Sequence, residues 1–77
     1  MAKWCYETLV EHDGIVHRSG AVTCGSKEEG QKNGAKGVRA WYKTCWSTVV
    51  IDQTYFVATV YTDGAGIVGY VNVWSES

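Results

Sequence analysis

Residues 4–10 are rich in aromatic and β-branched side chains, and Asp13-Gly14 supplies the two-residue signal of a type I′ turn, so the chain is expected to open with a β-hairpin. With that turn at the centre, Val10 faces His17, Tyr6 faces Ala21 and Cys5 faces Val22. Ser26 followed by Glu29 is a capping box and predicts a helix starting near Lys27. Gly30, Gly34, Val38, Trp41 and Cys45 recur at helical spacing, while Glu28, Lys32, Lys36, Arg39 and Lys43 fall on another face. The amphipathic helix should run to about Lys43. Gly30, Gly34 and Gly37 each cost about 1 kcal/mol relative to Ala in a helix. The natural recovery is close approach of a shallow glycine face to a sheet. A first half that frays through Asn33-Gly34 is the competing arrangement.

The last third reads as strands over 47–51, 54–62 and 67–74, with turns at Asp52-Gln53 and 63–66. Phe56, Ala58, Val60, Ile67, Gly69, Val71 and Val73 form one alternating set, and their small members suit a helix lying on them. Tyr55, Val57, Tyr61, Val68, Tyr70 and Trp74 form the other, which is expected to face outward. The fold class is thus α+β: a two-layer, antiparallel sheet of about four to five strands on one helix, in the order β-β-α-β-β-β.

Composition supports one folded domain over residues 1–77. A hydrophobic fraction of 45% with a net charge of -1 is far from that of disordered chains. Four Trp, five Tyr and one Phe offer large rings, enough for a compact core without disulfides or metal. No apolar run approaches a membrane span, and residues 1–5 lack the apolar stretch of a signal peptide, so the expected location is cytoplasmic with no membrane association. Three cysteines without C-x-x-C spacing suit a reducing compartment as small core residues. A Cys5–Cys24 bridge across the hairpin is the alternative.

Candidate chemistry is sparse. Gly64-Ala65-Gly66-Ile67-Val68-Gly69 spells the dinucleotide pattern, but a strand follows it where that site needs a helix and a distant acid, so it reads as a hairpin turn. His12, His17 and the cysteines lack the short ligand knuckles of a zinc site, and no nucleophile, base or acid pair stands out. No enzyme, cofactor or metal is expected. Charge is segregated: residues 27–43 carry five basic and two acidic side chains, net +3, and the rest carries two basic and six acidic, net -4. Nucleic-acid domains are usually basic throughout, whereas the pI here is about 6.0, so a protein partner is favoured over nucleic acid. Gly69-Tyr70-Val71-Asn72-Val73 is only faintly similar to the RNP1 motif, and no base-stacking role passes to Tyr70.

These features predict a protein-binding surface of Tyr55, Tyr61, Tyr70 and Trp74 with Lys32, Lys36, Arg39 and Lys43. In size and in its hairpin, helix and strands layout the whole chain resembles small phage-encoded inhibitors, including some anti-CRISPR proteins, although no motif carries the likeness. That resemblance implies a phage- or mobile-element-encoded module occluding a host protein or nucleic-acid machine. A nucleic-acid module led by the basic helix, and a homodimer burying the aromatic face, are the alternatives.

Overall fold

A computed structural model describes residues 3–76. Among them the chain forms β1 (Trp4–His12), β2 (Ile15–Arg18), β3 (Val22–Cys24), α1 (Lys27–Trp41), β4 (Trp46–Gln53), β5 (Phe56–Thr62) and β6 (Ile67–Ser75). All six strands join one antiparallel sheet in the order β2-β1-β6-β5-β4, with β3 on the same flank of β1 as β2. The first and last strands are therefore neighbours inside the sheet, Cys5 opposite Trp74 and Leu9 opposite Tyr70. The helix forms the second layer, over β1 and β6 and the near part of β5. No helix among the described residues is long and apolar enough to cross a membrane.

The sheet has six strands where four or five were expected, because the return strand of the hairpin breaks. Asp13 and Gly14 both adopt positive φ, as a type I′ turn requires, and Val10 pairs with His17 as predicted. At Ser19-Gly20 the ladder is interrupted: the Ser19 hydroxyl accepts from Thr8 N at 2.9 Å, and Gly20 takes φ +72. Beyond this kink the register moves by one residue, so Tyr6 meets Val22 and Cys5 meets Thr23. Cys5, opposite Trp74, lies on the open side, and the shift puts Cys24, opposite Trp4, on the helix side. The Cys5–Cys24 bridge is thereby ruled out, and all three thiols are free and buried.

A second bulge corrects the expected strand faces. Thr62 pairs with Ile67, but Tyr61 pairs with Gly69, leaving Val68 as an extra residue. Without it Val60 would oppose Gly69, as the alternation suggested. With it, Val57, Thr59 and Tyr61 join Gly69, Val71 and Val73 beneath the helix, while Phe56, Ala58 and Val60 turn to the other side with Tyr70 and Trp74. Tyr61 is accordingly 5% exposed, a core residue instead of an outward one.

The helix begins as its sequence predicts, with the Ser26 hydroxyl accepting from Glu29 N at 3.1 Å. It is helical through Asn33-Gly34 and ends at Trp41. Its buried stripe is Gly30, Gly34, Ala35 and Val38. A Cβ on Gly30 would lie 2.7 Å from Val73 Cγ1, and one on Gly34 would overlap Val71. This close approach leaves room only for modest side chains, and the largest fully buried ones are Val10, Val38, Val57, Val71 and Val73. Tyr61 is the sole buried aromatic among the described residues, so the core is built of valine and not of the rings that composition advertised.

Candidate functional site

One helix cannot cover both faces of this sheet. The uncovered face carries Leu9 and Val16 from the hairpin, Tyr70 and Trp74 from β6, and Phe56 and Val60 from β5, aligned across the strands by their pairing. Tyr70 is 45% exposed, and Trp74 is half-buried with its indole N–H donating to Glu76 Oε1 at 3.1 Å. Near the hairpin end, Leu9, Glu11, Val16, Ile67 and Tyr70 line a recess of about 220 Å³. Glu7 and Glu11 lie on the same face and form no ion pair among the described residues.

The residues expected to bind do not converge. Tyr70 and Trp74 share the open face. Tyr55 stands in the β4–β5 turn and is largely exposed, while Tyr61 lies under the helix. Lys32, Lys36 and Arg39 are exposed on the helix, and Lys43 is exposed just after it, in the layer on the opposite side of the sheet. None of these four forms an ion pair among the described residues, whereas Lys27 is held at the far edge of the sheet by Asp52 Oδ1 at 2.7 Å and the Gln53 carbonyl at 2.8 Å. The aromatic and basic surfaces are therefore two surfaces, with the sheet between them. Phe56 was missed because its face depends on the bulge at Val68, and Leu9 and Val16 because only the pairing of β1 with β6 sets the hairpin beside Tyr70.

A ring cluster pins the end of the helix to the hairpin. His17 stacks on Trp41 with centroids 4.1 Å apart, and His12 lies 5.2 Å from Trp41 and 5.7 Å from Tyr42. The Tyr42 hydroxyl donates to the Glu11 carbonyl at 2.6 Å. These histidines thus serve packing, and His12 Nδ1 also lies 3.4 Å from Asp13. No group of three His, Cys, Asp or Glu side chains among the described residues is placed to hold a metal ion. The glycines of 64–69 form a turn and the start of β6: Asp63 Oδ1 accepts from Ala65 N and Gly66 N, and Thr62 Oγ1 accepts from Gly64 N.

Two groups titrate away from their usual range. Burial pushes the Cys24 thiol up, reinforced by the nearby Glu29 carboxylate. Burial likewise raises the Tyr61 phenol, against a smaller opposing pull from Arg39. Both shifts keep the neutral form inside the fold. Comparison of the chain with protein families, with curated proteins and with solved structures yields no match.

Proposed function

We propose that this chain is a non-enzymatic protein-binding module that docks through the uncovered face of its sheet and, in an inhibitory role, occludes a surface of a host protein or nucleic-acid machine. The observation that carries the reading is an aromatic and aliphatic face, centred on Tyr70, Trp74, Phe56 and Leu9, with no layer of the described residues over it. A contiguous apolar patch of this kind on a small domain marks an interaction site. Glu7 and Glu11 beside it favour a partner that is apolar at the centre and basic where it meets β1.

Capture from a native host lysate, read by quantitative mass spectrometry, tests this. Wild type should retain one protein near stoichiometry, Lys36→Glu should retain it too, and Tyr70→Glu should lose it. Removal of a central aromatic anchor costs about 2 kcal/mol or more of binding, roughly thirtyfold in Kd. Absence of a stoichiometric protein, or one indifferent to Tyr70→Glu, overturns the reading. Capture of nucleic acid that is released by salt and by Lys36→Glu would put the basic helix in its place.

A further inference from the structure

The two edges of the sheet are built differently. One edge is β2 and β3, only four and three residues long, broken at Gly20 and carrying Arg18. Short, kinked, charged strands of this kind keep other chains from pairing with an open edge. The opposite edge, β4, is eight residues long and exposed along its whole length. It has no Pro, Lys or Arg, and its single charge, Asp52, is already engaged by Lys27. Trp46, Val49, Val50 and Ile51 are between 42% and 56% exposed, and the helix packs on β1, β6 and β5 without reaching them.

We propose that β4 pairs antiparallel with β4 of a second copy of this chain, continuing the sheet across a two-fold axis. The partner is a copy because the strand complements itself. The register of β4 on β5 skips at Val50, so Trp46, Thr48, Ile51 and Gln53 share the open face while Ser47, Val49 and Asp52 share the helix face. Read in reverse, that order repeats itself for Trp46, Ser47 and Thr48 against Gln53, Asp52 and Ile51, with the bulge between them. Trp46 then faces Gln53 of the copy, Ser47 faces Asp52, Thr48 faces Ile51 and Val49 faces Val50. An unbulged eight-residue strand in this register would set residues of opposite faces against each other, since side chains alternate. No like charges meet, and the Ser47 hydroxyl is set to donate to the carboxylate across from it. The contact is isologous, as closed dimers require. It is independent of the open-face reading, because the two surfaces use different residues.

One strand pair buries less than the roughly 1,200 Å² typical of stable complexes, so the dimer dissociates with a Kd on the order of micromolar. Sedimentation velocity from about 1 to about 500 μM should show the mass rising from monomer to dimer. The exposed pair Val49→Lys with Val50→Lys should raise Kd at least about tenfold by opposing like charges across the axis, while Tyr70→Glu leaves association unchanged. Isotope-filtered spectra of mixed labelled and unlabelled wild type should give contacts between the methyls of Val49 and Val50 from different copies, which needs no variant to fold. A wild type that stays monomeric throughout overturns the proposal. So does association that survives the lysine pair or is abolished by Tyr70→Glu.

Discussion

Gly34 shows how a residue that weakens its own element can hold the fold together. In isolation Gly34→Ala favours the helix by about 1 kcal/mol. Here the added methyl meets Val71 at Cβ and at both methyls, atoms on a short branched side chain that cannot swing away. Overpacking of this sort costs about 1–3 kcal/mol. Gly34→Ala should therefore lower stability by up to about 2 kcal/mol, a drop in Tm of several degrees for a domain this size. Combining it with Val71→Ala should give a protein more stable than the sum of the two single changes implies, measurable by chemical denaturation as a double-mutant cycle. Additive losses would mean that the helix does not rest where Val71 lies. The glycine spacing was legible in the sequence as a close-approach face. Its counterpart residues were legible only on β6, where Gly69, Val71 and Val73 do face the helix.

Among the elements, the helix was the most readable because its signals are local. The Ser26 hydroxyl satisfies an amide three residues on, and that bond exists whatever the rest of the chain does. Ser26→Ala should cost about 1 kcal/mol and release exchange protection first at the amide of Glu29, observable by hydrogen exchange. Loss confined to some other segment would refute the cap. The start of the helix has a second anchor that spacing could not announce, the Lys27 ammonium on Asp52 and the Gln53 carbonyl at the end of β4. The strands were legible as strands, from their Val, Ile, Tyr and Thr content. Their pairing was not, since each of the three irregularities, at Ser19-Gly20, near Val50 and at Val68, adds one residue and turns over the faces beyond it.

At the scale of the molecule, the helix packs over β1, β6 and β5 and reaches β4 through the Lys27 side chain, and the shape is drawn out to 39 × 20 × 16 Å. The radius of gyration of 12.0 Å slightly exceeds the roughly 11.5 Å expected for a compact domain of this length. Sheet assembly joins the two ends of the chain, β1 to β6, so folding must close a long loop before its central ladder forms. Global stability should also respond to alkaline pH through the two buried groups whose neutral forms the fold favours. For Cys24 and Tyr61 the folded value is raised above the ordinary 9.0 and 10.0, so the unfolded chain ionises first. Their contribution is fully present below those ordinary values and is lost as pH rises through the folded ones. The denaturation midpoint should fall above about pH 9, and Tyr61→Phe should flatten the part of the fall above about pH 10. A wild-type profile identical to that of Tyr61→Phe would show the phenol to be free of its cavity.

By itself the amino-acid order determined what neighbours along the chain can decide: the Asp13-Gly14 reversal, the Ser26 cap, the helical run through the glycines, the strand character of the last third and the segregation of positive charge onto one helix. These follow from backbone preference and from side chains meeting amides a few residues away. Tertiary structure alone decided which side of each strand is covered. That choice turns on single inserted residues whose effect is felt only when a strand meets a partner dozens of positions distant, as Tyr61 does when it lands opposite Gly69 and passes beneath the helix. The same inserted residue at Val68 carried Phe56 and Val60 to the open face beside Tyr70.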